Sequence, residues 1–168
     1  MTDHQQDSQP DPTEARLAAL EARLRALEDE QEITRLVASY GPLVDAGEAE
    51  RVAALWTEDG VYDVDEWFMG SRAEIDAMVR SEAHQGLIGR GCSHFLGPAH
   101  VVVDGDRAVA VCESVLLVRH EGRTHVARIG ANRFELVRTA DGWRTTRRTT
   151  RGLDGSPEAR ALLSDQAP

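Results

Sequence analysis

Residues 92–150 read CSHFLGPAHVVVDGDRAVAVCESVLLVRHEGRTHVARIGANRFELVRTADGWRTTRRTT. β-branched and other apolar residues dominate this stretch, and Asp104-Gly105, Glu121-Gly122 and Asp141-Gly142 interrupt it. An acid followed by glycine supplies the positive φ that a tight hairpin needs, so each interruption reads as a turn. The spacing predicts a meander of antiparallel strands. The intervals between turns exceed the usual strand of ~5–6 residues, and a sheet of such strands must twist and curl.

Upstream, the pattern is helical. Asp11, Pro12 and Glu14 combine an N-cap, a first-turn proline and an acid behind the cap, which marks a helix start. Leu17, Leu20, Leu24 and Leu27 then recur at alternating spacings of three and four. This short heptad seam packs either on its own domain or on a sister subunit. The helix is expected to continue through Ile33, Val37 and Tyr40 to Asp45, with Gly41-Pro42 kinking it and Gly47 capping its end. A second short helix carries Val52, Ala53, Leu55 and Trp56, and Thr57-Glu58-Asp59-Gly60 turns the chain into a strand over Val61 to Val64. Ser71-Arg72-Ala73-Glu74 is a capping box, so a third helix covers about Arg72 to Glu82. Ser156-Pro157-Glu158 opens a last one. Helices first and a curved sheet second make an α+β layout with a concave face. Residues 1–10 read as a disordered polar tail, 11–155 as a single domain, and 156–168 as a short C-terminal helix whose end frays at Gln166 to Pro168.

The 168 residues, 41% of them hydrophobic, suffice for one domain with its own core. A net charge of −10 argues against nucleic acid and anionic membranes as partners, since both would repel it. A small molecule or another protein chain is expected instead. All 19 basic side chains are arginine, which removes Schiff-base chemistry and the phosphate-loop lysine. Cys92 and Cys112 form no paired framework and no charged-then-apolar leader opens the chain, so a reduced, cytoplasmic setting is expected. No apolar run approaches the ~18 residues of a membrane span.

Proton transfer is the chemistry these residues leave open. Asp45 closes the long helix directly after Leu43 and Val44, at the rim or floor of the sheet's hollow, and a carboxylate there either orients an imidazole or makes a turn contact. His94, in Cys92-Ser93-His94-Phe95-Leu96-Gly97, either exchanges a proton near neutral pH or is satisfied by a backbone carbonyl. Tyr40 offers a phenolic proton to a substrate carbonyl or packs as a core tyrosine. Asn132 shares the apolar face of Phe134 and Leu136, where its amide needs a partner or a ligand. On the last strand Trp143, Thr145, Arg147 and Thr149 share a face, which makes Arg147 a candidate for holding an anionic group. Trp56, Trp67, Phe68 and Met69 supply walls and a lid for an apolar pocket. The histidines are scattered, without HExxH or CxxC, and Gly89 to Gly91 lacks the helix of a phosphate loop, so neither metal nor cofactor is expected.

Five passages together resemble the SnoaL-like branch of the nuclear transport factor two superfamily. They are the helix bearing Tyr40 and Asp45, Leu55-Trp56-Thr57-Glu58-Asp59-Gly60-Val61-Tyr62, Ser93-His94-Phe95-Leu96-Gly97, Val103-Asp104-Gly105-Asp106-Arg107-Ala108, and Asp141-Gly142-Trp143. The resemblance covers roughly residues 29 to 150. It implies a cone, a strongly curved sheet closed by helices around an apolar cavity. It also implies that Asp45 and His94 are the dyad of the family's dehydratases, that Tyr40 matches a tyrosine of the bile acid enzymes, and that Asn132 matches the pocket asparagine of scytalone dehydratase. Val64 stands where scytalone dehydratase has a tyrosine, with Tyr62 two places away on the same side, and its second histidine falls near Arg119. A dehydratase acting on a hydrophobic, cyclic hydroxy-carbonyl compound is therefore expected, with an isomerase, a polyketide cyclase or a non-catalytic binding module as alternatives. Relatives of this kind are commonly trimers or dimers, so a homo-oligomer is expected too.

Overall fold

The structure, a computed structural model, describes residues 11–165, so the readings of residues 1–10 and 166–168 lie outside it. Helix α1 spans Pro12–Asp45, and the Asp11 carboxylate accepts the Thr13 N–H at 2.9 Å as its cap. It runs unbroken through Pro42, which sits in the last turn. Gly47 follows at φ +72°, the left-handed conformation that stops a helix at low steric cost. After α2 (Ala49–Ala53), β1 covers Trp56–Val64 and is longer than expected, because the Thr57 to Gly60 turn is absorbed as an irregularity within the strand. β2 (Trp67–Met69) folds back on β1.

The third helix expected over Arg72 to Glu82 is two helices, α3 (Arg72–Arg80) and α4 (Glu82–Arg90). Ser81 divides them. Its extended backbone ends α3, while its hydroxyl accepts the His84 N–H at 3.2 Å and so caps α4. Strands β3 (Cys92–Leu96), β4 (His100–Asp104), β5 (Arg107–His120), β6 (Arg123–Thr139) and β7 (Gly142–Gly152) follow, then α5 (Pro157–Ser164).

The sheet order is β2-β1-β7-β6-β5-β3, with β4 sharing the β5 edge with β3. β5, β6 and β7 form the antiparallel meander read from the turns, while β1 joins β7 in parallel. A purely antiparallel sheet is thus corrected: β1 enters from α2 rather than through a hairpin, which frees its direction. Irregularities interrupt the β5–β6, β6–β7 and β1–β7 registers, and such bulges bend the strands they occupy.

α1 lies across the sheet, which it meets through one buried cluster of Ile33, Val37, Phe134, Leu136 and Trp143. A second cluster, built on Tyr40, Val44, Trp56, Tyr62 and Ile75, sits beyond its C-terminal half. Asp29 and Glu32 on α1 lock the first cluster, accepting the Trp143 indole N–H at 3.0 Å and its backbone N–H at 2.9 Å. Asp29 also takes both terminal nitrogens of Arg138, which holds its carboxyl below the usual range. Leu17, Leu20, Leu24 and Leu27 are 51–63% exposed, so the seam does not pack on its own domain.

Gly41 fixes how closely helix and sheet approach. A Cβ there would fall inside van der Waals contact of the His94 carbonyl oxygen, a backbone atom that cannot swing aside. Gly41→Ala is therefore expected to cost about 1–3 kcal/mol in urea unfolding, as overpacking does; an unchanged midpoint would show that β3 yields freely.

Candidate active site

The close approach at Gly41 brings the end of α1 against the start of β3. There the Asp45 carboxylate accepts the His94 backbone N–H at 2.7 Å, the His94 Nδ1–H at 2.6 Å and the Cys92 thiol at 3.3 Å. An ionised carboxylate only accepts, so Nδ1 carries the proton and Nε2 is left as the basic nitrogen. Asp45, Cys92 and His94 offer ligand atoms within 4.8 Å of one another. Burial pushes the Cys92 thiol up to about 11, and it donates to Asp45.

His94 lines a cavity of about 200 Å³ between the sheet and the helices. Tyr40 of α1, Met78 of α3, and His84 and Leu87 of α4 line it from the helices, with Tyr62 of β1, Trp67 and Met69 of β2, and Leu96, Ser114, Leu116, Arg128, Arg148 and Thr150 from the sheet. The Tyr40 ring stands edge-on to His94 at 6.3 Å between centroids. Burial first, then the neighbouring Tyr62, raises the Tyr40 phenol well above its usual value, so it remains a hydrogen-bond donor. His84 places its ring 5.8 Å from that of His94 and reaches the Val44 carbonyl through Nε2 at 3.1 Å.

The remaining residues singled out in the sequence fall in several places. Tyr62 and Trp67 line the cavity, the latter 55% exposed at its mouth. Trp56 is buried behind Tyr40 and Tyr62 rather than on the cavity wall. Phe68 points outward, with 58% exposure. Asn132 is fully buried and lies beneath the cavity: its amide donates to Ser114 Oγ at 2.9 Å, and its oxygen accepts from Arg148 Nη2 and Thr150 Oγ1, each at 2.8 Å.

Arg147 and Arg148 exchange the faces read from the sequence. The β6–β7 register steps from Leu136↔Thr145 to Glu135↔Arg147, which leaves Thr146 as an extra residue in β7. One additional residue inverts the alternation beyond it. Trp143 and Thr145 point inward, and so do Arg148 and Thr150, while Arg147 takes the other face and stands outside the cavity. The stretch Thr145-Thr146-Arg147-Arg148-Thr149-Thr150 gives Thr-Arg-Thr in either phase, so only the bulge decides. His84 was also passed over, although Ser81 three residues before it is a cap signal of the same kind as Ser71.

Arg148 is 2% exposed, and the Tyr40, Tyr62 and Phe134 rings lie 4.2, 4.6 and 4.9 Å from its Cζ. Desolvating a guanidinium costs several kcal/mol, whereas each ring returns about 0.5–2 kcal/mol. The stack therefore offsets the cost in part. Burial, with the Arg148 and His84 charges adding to it, outweighs the Asp45 carboxylate and lowers the His94 pKa below 6.5.

The SnoaL-like domain family matches residues 25–149. Among solved structures, an NTF2-like protein with a cystatin-like fold from Novosphingobium aromaticivorans is 49% identical, with a TM-score of 0.86 over 88% of this chain and 96% of that one. A protein of unknown function from Mycobacterium tuberculosis shares 21% identity and a TM-score of 0.67 over 80% of this chain and 89% of its own. A scytalone dehydratase candidate from N. aromaticivorans shares 22% and 0.64 over 76% and 85%. The last two likenesses speak to the fold alone. No curated protein is similar enough to count as a match. No helix among the described residues is long and apolar enough to cross a membrane.

A neutral folded His94 has a definite consequence for pH. The folded state binds this proton less readily than the unfolded chain, so stability from this group is lost as pH falls from 6.5 toward the folded value and is intact above 6.5. NMR titration is expected to place His94 below 6.5 in the folded protein and lower still in Asp45→Asn, because the carboxylate favours the imidazolium. A midpoint at or above 6.5 would contradict the burial. By the family match across residues 25–149 and the fold shared with its 49%-identical relative, the chain belongs to the SnoaL-like domain family.

Proposed function

We propose that this chain is a dehydratase-type lyase that works by proton transfer on a small, cyclic hydroxy-carbonyl compound. The observation that carries the reading is the 2.6 Å contact between His94 Nδ1 and Asp45 at the wall of a largely apolar cavity. In the proposed cycle His94 Nε2 removes a proton next to the substrate carbonyl, and the electron pair moves onto the carbonyl oxygen as an enolate. The Tyr40 hydroxyl, kept protonated by burial, donates a hydrogen bond to that oxygen. The enolate then collapses and expels the β-hydroxyl, which takes the proton from the His94 imidazolium and leaves as water. Asp45 keeps the ring oriented and supports its charge in between. An isomerase would use the same first step and return the proton to a different carbon.

Cavity size bears on the substrate. A cavity of ~150 Å³ holds one benzene ring, so about 200 Å³ favours a compound of one or two rings over a four-ring skeleton. His94→Ala and Asp45→Asn are each expected to lower turnover of such a substrate by about 10²–10⁴-fold while circular dichroism stays that of the folded chain. Tyr40→Phe should cost about 10²-fold, chiefly in kcat. Full turnover in His94→Ala would end the lyase reading.

The exposed leucine seam supports a homo-oligomer, dimer or trimer, assembled through α1. Sedimentation is expected to give a multiple of 18.5 kDa and to revert to that mass in Leu20→Glu/Leu24→Glu; an 18.5 kDa species from the unaltered chain would contradict it.

A further inference from the structure

The reaction proposed above assigns no task to Arg148, a buried arginine that lines the cavity. Its Nε and Nη2 both donate to one neutral acceptor, Asn132 Oδ1, at 3.3 and 2.8 Å. Nη1 is buried without a hydrogen-bond partner. Among the described residues no ion pair reaches Arg148, although Arg128 and Arg151 nearby are matched with Asp65 at 2.6 Å and Asp63 at 2.8 Å. Arginine cannot shed its proton to escape this burial. The aromatic faces around it attract a cation but carry no net charge of their own. The Asp45 carboxylate of the site has its oxygens taken by three donors from Cys92 and His94. A permanent positive charge thus faces the cavity with its position fixed and its counter-charge missing.

We propose that Arg148 anchors an anionic ligand, a one- or two-ring compound bearing a carboxylate, whose own charge completes the ion pair that the protein omits. Asn132 is central to this arrangement. It holds the guanidinium by two hydrogen bonds as an aspartate would, but leaves its charge uncompensated. The proposal names a substrate class for the cavity of the proposed lyase and so rests on that cavity, but it does not rest on turnover.

The test is calorimetric titration of the intact chain with 2-naphthoate and 2-naphthamide, two probes alike in shape and different in charge. The carboxylate should bind at least about tenfold tighter, the value of one hydrogen bond to a charged group. Asn132→Asp keeps the side-chain shape and places a carboxylate against the guanidinium, and it should erase the preference. Arg148→Met should erase it too, which keeps the test open if either variant fails to fold. A smaller wild-type preference, no naphthoate binding at millimolar concentration, or a preference that survives in a folded variant would overturn the assignment. Retention of the preference in a chain whose dyad proves inactive would remove the lyase reading and leave this one standing.

Discussion

The Asp45 carboxylate accepts the His94 amide, the His94 ring and the Cys92 thiol, and so ties the last turn of α1 to the first strand that crosses beneath it. A helix end and a sheet edge have no general reason to meet at this distance. They do so because Gly41 has no side chain to hold them apart and because Asp45, one turn later, lies on the same helix face toward β3. Structural and chemical roles coincide in this contact. The same hydrogen bonds that fix the helix also select the tautomer of His94 and leave Nε2 as the basic nitrogen of a ring that lines the cavity.

Electrostatics in the cavity follow from what the protein pairs and what it does not. Arg128 and Arg151 are matched with acids, whereas Arg148 is given three aromatic faces and a neutral amide. Burial, and to a lesser degree the His84 and Arg148 charges, lowers the His94 pKa and favours the neutral ring, the state in which an imidazole accepts a proton. An aspartate in place of Asn132 would reduce that field. A single amide thus sets the position of the guanidinium without neutralising it.

Much of this was legible in the residues. Turn dipeptides give the β5 to β7 meander, the Asp11 and Ser71 caps give their helices, and the resemblance to the SnoaL-like family, rather than any local pattern, pairs Asp45 with His94. What escaped were features carried by single residues acting against their local pattern. Ser81 splits one expected helix into two and thereby delivers His84, and a lone extra residue at Thr146 turns Arg148 rather than Arg147 inward. A repeat of Thr-Thr-Arg-Arg-Thr-Thr carries no phase information, so alternation cannot reveal which arginine is buried. The parallel pairing of β1 with β7 depends on where α2 releases the chain, which is a tertiary fact rather than a local one.

The tautomer of His94 tests the whole arrangement most directly. Two-bond nitrogen–proton correlation NMR on the neutral ring, recorded above its titration midpoint, should show a protonated Nδ1 and a bare Nε2. A proton found on Nε2, with Nδ1 bare beside Asp45, would mean that the carboxylate is not an ionised acceptor and that no base faces the cavity.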